Sequence, residues 1–406
     1  MKRILLSFII ALIAVVLVAC NGDVASPIVI SKVYTTTRQA NNLIELYNTS
    51  EASVDLGEYA FNFYTNGAKE VSQTINLSGT IEANSYFLVG GSNHGVAEVK
   101  ELIDFSNENG SLPFNGNDVI ELTKYGSRID IFGSIGSDFD FSINSTQIRL
   151  GLLTDYQPNK EFNLFNYIGY APNLYQYLKN DDHEIKTFEQ LYEGPRLEER
   201  FLEMPYVDPN NSNLGFGGVA TSTVQSIADG DTATFQAVNG YPGGSMRYFY
   251  INTPEVNGSN VVAEPWGYVA SKYNKEYLLK DGNSKLIQLQ SIPGNALQEG
   301  YGRNLGLVWV NGHLSQFLIV REGLSESDVQ IKYEDYDFIL TYKNVPYLTF
   351  LKFAENEAKN NGWGAKGYPI NPNGEKSPDW NYQANNGAGA LATTNPTWQP
   401  HLPLPW

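Results

Sequence analysis

Short apolar runs, β-branched or alternating and closed by glycine, asparagine or serine, set the limits on what this chain can become. Ile28-Val29-Ile30-Ser31-Lys32-Val33-Tyr34 is the first. In Asn42-Leu43-Ile44-Glu45-Leu46-Tyr47-Asn48, Leu43 and Tyr47 bracket charged Glu45 on one face, with Ile44 and Leu46 on the other. Further runs cover Tyr59–Tyr64, 74–77, 85–89, 118–123 and 129–132. Strands this short at such spacing predict a β-sandwich. Aromatic residues, 13% of the chain, favour the same architecture. Asp104, Glu108 and Asp118 read as solvated loop acids.

The remaining chain has room for a second domain, since 406 residues exceed one ordinary domain. Phe162 to Tyr177 is aromatic and should pack on the sandwich, and short helices are expected near 187–192 and 196–204. Asp208-Pro209-Asn210-Asn211-Ser212-Asn213 and Gly215-Phe216-Gly217-Gly218 have linker composition, so the boundary is placed there. Beyond it come a strand into Asp229-Gly230-Asp231-Thr232, a return strand at 246–251, a helix at 263–280, strands at 286–290 and 305–310, and helices at 312–322 and 347–360. The helix at 263–280 carries Trp266, Val269, Ala270, Tyr273 and Tyr277 at helical spacing.

A formal charge of -17 repels nucleic acid in bulk and counts against a nonspecific DNA-binding protein, though less against a site with a few focused arginines. Cys20 is the only cysteine, which rules out an intrachain disulfide framework or a Cys-based zinc site. His94, His183, His313 and His401 lack ligand spacing. The chemistry concentrates between Asp229 and Glu255, where acids close one strand and Arg247 lies on the next, ahead of Asn252-Thr253-Pro254-Glu255. Carboxylate and amide oxygens suit a hard cation such as calcium. An arginine aimed at the same place suits a phosphate, and a nearby glutamate can take the proton of an attacking water. Together these groups describe metal-assisted phosphodiester hydrolysis. Asp229-Gly230-Asp231 alone also reads as a plain turn, and Arg247 with Glu255 as an ordinary ion pair.

Ile44-Glu45-Leu46-Tyr47-Asn48, Val54-Asp55-Leu56, Ile75-Asn76-Leu77, Ile81 and Tyr86-Phe87-Leu88-Val89 resemble the lamin-tail domain, an immunoglobulin-like sandwich, over roughly residues 27–150. Bacterial members are often found beside nuclease domains, so the resemblance implies contact with envelope or nucleic acid. Asp229-Gly230-Asp231-Thr232, Arg247, Asn252-Thr253-Pro254-Glu255, Tyr301-Gly302-Arg303 and Arg321-Glu322-Gly323-Leu324 stand in the order of the staphylococcal thermonuclease family. The resemblance spans about 222–368 and implies an OB-fold β-barrel with packed helices. It also implies an endonuclease of the type that cleaves the bond to the 5′ oxygen and leaves 3′-phosphates. On this resemblance Asp231, Asn252 and the Thr253 carbonyl are calcium ligands, and Glu255 orients or deprotonates the attacking water. Arg247 and Arg303 hold the phosphate, and Tyr301 contacts substrate. Asn252 departs from the pattern, standing where most members carry aspartate; it keeps an oxygen donor and loses a charge. A binding protein with a degenerate nuclease domain is the alternative. Tyr333 and Tyr336 are not assigned a role.

Met1-Lys2-Arg3 precedes an apolar run from Ile4 to Ala19 that is short for a membrane span and fits a signal-peptide core. Leu17-Val18-Ala19-Cys20 resembles the lipobox of bacterial lipoproteins, which implies lipidation of Cys20 and anchoring at the extracellular face of the cell membrane. An uncleaved anchor is the other reading. The expected organisation is a leader at 1–19, a sandwich with extension at 27–180, a helical segment and linker at 181–218, a thermonuclease-like domain at 219–369 and a low-complexity tail at 370–406. The expected fold class is mainly β and multi-domain.

Overall fold

The structure, a computed structural model, describes residues 25–256, 263–264, 266–280, 282–326, 329, 340–366 and 400–405. The leader, Cys20, Tyr333, Tyr336 and most of the 370–406 tail lie outside the described residues. None of the described helices is long and apolar enough to cross a membrane.

The mainly β architecture holds, in two units. The first is a sandwich. Its larger sheet runs, in spatial order, Tyr167–Tyr170, Ser145–Arg149, Ile28–Thr35, Leu43–Asn48, Tyr86–Gly91 and Phe105–Asn107. The smaller runs Ser127–Phe132, Val119–Lys124, Tyr59–Tyr64 and Gln73–Asn76. Alternation sends Ile44 and Leu46 into a core shared with Phe61, Phe63, Ile120 and Leu122.

The opposite face is also covered, because residues between Leu153 and Leu178 cross it. Tyr156 packs on Val29 and Tyr47, and Leu178 joins Tyr34, Leu43 and Leu88. Glu45 is therefore fully buried. An uncompensated carboxylate there would cost several kcal/mol, but Lys32 Nζ lies 2.5 Å from it and the Lys179 N–H donates at 2.7 Å. Asp118 departs from expectation. It is buried, and its carboxylate accepts the N–H groups of Asn66 and Asn115, both at 2.7 Å, so it shapes a loop instead of meeting water. Asp104 and Glu108 are exposed, as expected.

In the second unit, Val224–Ile227 pairs with Thr232–Phe235, which pairs with Gly244–Tyr248; the next neighbour, in parallel, is Asn304–Val310. Ile287–Gln290 follows, then Val219–Ser222. The path thus begins and ends on two consecutive segments separated only by Thr223. Those two segments border both ends, so the sheet coils in the manner of an OB fold, but among the described residues it does not close into the expected barrel. Gly267–Leu278, Ser315–Arg321 and Tyr347–Asn361 pack around it.

The segment with linker composition is not a loose connector. Val207–Asp208 pairs with Asn211–Gly215, the Gly215 N–H donates to the Asn295 carbonyl at 2.9 Å, and Ser291 Oγ accepts from Phe216 and Gly217. Its turn-forming residues build a hairpin against the second unit. The two units also share one apolar core that includes Ile148, Ile168 and Tyr170 from the first and Trp309, Phe350 and Phe353 from the second. Thr349 Oγ1 donates to the Gly169 carbonyl at 3.0 Å, the Ala171 N–H to the Asn344 carbonyl at 3.0 Å, and Phe165 meets Phe353 edge-on at 5.1 Å.

Candidate active site

Two close approaches set the frame. A Cβ on Gly230 would lie 2.6 Å from both the Ala270 methyl and Thr253 Oγ1, and one on Gly267 would lie 2.0 Å from the Glu255 carbonyl oxygen. Only glycine lets the Asp229–Asp231 turn, the 252–255 segment and the start of helix Gly267–Leu278 press together. Tyr250, at a positive φ of 74°, turns the chain out of strand Gly244–Tyr248 so that Asn252 and Thr253 return towards Asp231.

Asp231 is 3% exposed and fully engaged. Oδ2 accepts the Thr253 N–H at 2.6 Å and its hydroxyl at 3.0 Å; Oδ1 accepts the Thr232 hydroxyl at 3.0 Å and pairs with Arg247 Nη1. Thr232 and Arg247 are cross-strand partners, which explains why the turn acid and the strand arginine meet. Arg247 Nη2 donates to Asn252 Oδ1, and Asn252 Nδ2 donates to Glu326 Oε1.

Arg303 follows the tight turn in which the Gly302 N–H donates to the Glu299 carbonyl at 2.9 Å, and its guanidinium pairs with Glu299. The strand it leads into runs parallel to that of Arg247, with Leu305 opposite Arg247. That hydrogen bond to Glu299 raises the Arg303 pKa; Asp229 and Glu255 contribute less. Burial lowers that of Arg247, with Asp229 opposing and Arg303 reinforcing. Burial pushes the Glu255 carboxyl above its ordinary range; Asp229 adds to this and Arg247 opposes it. Arg247, Glu255 and Arg303 therefore sit within electrostatic reach of one another and of Asp229. Tyr301 is 91% exposed, without a packing role.

The oxygen donors placed around Asp231 are its own carboxylate, that of Asp229, the Thr253 hydroxyl and, across Arg247, the Asn252 amide; the Thr253 carbonyl belongs to the same segment. This chemistry suits a hard cation with carbonyl as well as carboxylate ligands, and calcium fits it. Among the described residues no group of three or more His, Cys, Asp or Glu could hold a metal, so the site is not an all-carboxylate cage.

Asp229 stands in the sequence motif without an assigned role, and two further participants, Asn274 and Glu326, were not singled out from sequence. Burial pushes the Asp229 carboxyl up against the pull of Arg247, and it lies in the same charge network. Asn274 is wholly buried, donates to the Asp229 carbonyl at 2.8 Å and accepts from Tyr248 Oη at 3.1 Å. An amide inside the apolar stripe of helix Gly267–Leu278 was the available signal. Glu326 carried no local signal, since it reaches Asn252 across 74 residues.

Residues 22–136 match the family described as Lamin Tail Domain, and residues 245–364 match Staphylococcal nuclease homologue. The chain carries a lamin tail domain followed by a staphylococcal nuclease homologue domain. Over 152 residues it is 32% identical to Endonuclease YncB of Bacillus subtilis (strain 168), covering 37% of this chain and 64% of that one. Over 149 residues it is 34% identical to SPbeta prophage-derived endonuclease YokF of the same organism, covering 36% of this chain and 45% of that one. It thus spans less than two thirds of either relative.

Proposed function

We propose that this protein is a calcium-dependent nuclease, held at the outer face of the cell membrane through a lipidated Cys20, that hydrolyses phosphodiester bonds of DNA, RNA or both. The observation that carries the reading is the convergence of Asp231, Arg247, Asn252 and Thr253 on one point, with Glu255 and Arg303 in the same electrostatic field. The two endonuclease relatives support it.

In this reading Asp231, the Thr253 carbonyl and the Asn252 amide hold Ca2+, which supplies a Lewis acid and a template for phosphate and water. Arg247 leaves Asp231 for the scissile phosphate, and Arg303 exchanges Glu299 for it. Both guanidinium groups then offset the charge that grows on the phosphoryl oxygens. Glu255, its carboxyl already raised, takes the proton of the attacking water. Tyr301 offers a ring face to a base or sugar. The lamin tail domain contacts envelope or nucleic acid.

The test is digestion of single-stranded DNA and of RNA by the whole chain across a calcium titration, with product ends identified. Activity should need calcium and leave 3′-phosphates. Glu255→Gln and Arg303→Ala should each lower kcat by about 10²–10³ with little change in substrate binding. Activity that survives chelation, or near-wild-type rates in both variants, removes the reading and leaves a nucleic-acid or envelope binding protein.

A further inference from the structure

An asparagine at 252 leaves the site one carboxylate short of the family pattern. The side chain nearest that deficit belongs to a different element. Glu326 lies beyond helix Ser315–Arg321, and its backbone N–H donates to the Asn252 carbonyl at 2.8 Å. Ser325 Oγ donates to the same carbonyl at 3.2 Å, and Lys366 Nζ holds the Glu326 carbonyl at 3.2 Å. The segment is therefore fixed against Asn252, and the Glu326 carboxylate meets the Asn252 amide.

The two identities explain each other. Asn252 touches a guanidinium with its oxygen and a carboxylate with its nitrogen. Only an amide does both; an aspartate could accept from Arg247 but would oppose Glu326. A run of contacts results: Asp231, Arg247, Asn252, Glu326. It is acidic at both ends, with the cationic group between.

We propose that Glu326 is the second carboxylate of the cation site, transposed from position 252 to the far side of the Asn252 amide, and that it supplies the charge for calcium that Asn252 lacks. Glu326 stands behind the Asn252 amide and acts on the ion from outside the direct ligand set, so that its charge enters the affinity. The inference rests on the calcium-dependent reading above.

The experiment is a set of calcium-binding isotherms on the full chain, measured calorimetrically without nucleic acid, with thermal melts of the metal-free proteins. The variants are Asp231→Asn, Glu326→Gln, Asn252→Asp and the double variant Asn252→Asp/Glu326→Gln. Glu326→Gln keeps an acceptor for Asn252 and should weaken calcium by about 10–100-fold. Asn252→Asp should lower the metal-free melting temperature, because two carboxylates then face each other, and should tighten calcium. The double variant moves the charge back to 252 and should bind close to wild type. If Asp231→Asn loses calcium while Glu326→Gln binds as wild type, Glu326 has no part in the site and only this inference fails. If wild type binds no calcium, or Asp231→Asn binds unchanged, the calcium reading falls and takes this one with it.

Discussion

Asn274 joins the fold to the site, and replacing it tests that link quantitatively. Its amide is wholly buried between the Tyr248 hydroxyl at 3.1 Å and the Asp229 carbonyl at 2.8 Å. Leucine fills similar space and bonds neither. Each buried group left without a partner costs about 1–3 kcal/mol, and the added apolar burial returns about 1 kcal/mol. Asn274→Leu should therefore destabilise the protein by about 1–5 kcal/mol. Tyr248→Phe removes one of the two orphaned groups, so the double variant should be more stable than the sum of the singles predicts, by at least ~1 kcal/mol. Urea unfolding of the four proteins, with m-values compared, supplies the cycle. Additivity within about 0.5 kcal/mol would show that Asn274 and Tyr248 do not act together. A loss below about 1 kcal/mol for Asn274→Leu would show that the Asp229 turn is held by something else.

Phe353 is buried between Phe165 at 5.1 Å and Phe188 at 5.9 Å, so Phe353→Ala should cost about 3–5 kcal/mol. Calorimetry of that variant should show one transition moving as a unit; a sandwich transition left at its wild-type temperature would mean the two units unfold separately. His183 is buried, its pKa lowered to about 4 by burial against an ordinary 6.5. The unfolded chain thus binds the proton more readily, so the contribution is complete above pH 6.5 and is lost as pH falls towards 4, on the order of 3 kcal/mol. His313, also lowered to about 4 by burial, acts in the same direction. His183→Phe should flatten melting temperature against pH over that window, with the His313 share remaining; an unchanged profile would contradict the assignment.

Much of this was legible locally. Period-two alternation located the sandwich strands, and the short motifs around Asp231, Arg247, Asn252 and Thr253 pointed to groups that do meet. The misses share one cause. Asp118 reads as a solvated loop acid because the loop that closes on its carboxylate is not visible in spacing, and the burial of Glu45 goes unforeseen because the segment that covers it has no periodicity. Residues 208–218 have a linker's composition and a hairpin's structure because the same turn residues serve both. Glu326 belongs to the site only through a long-range approach that spacing does not encode.

The apolar core common to both units makes the lamin tail domain a rigid mount instead of a tether. The angle between that domain and the candidate active site is therefore set by the packing of Phe165, Phe353 and Thr349, not by a flexible joint.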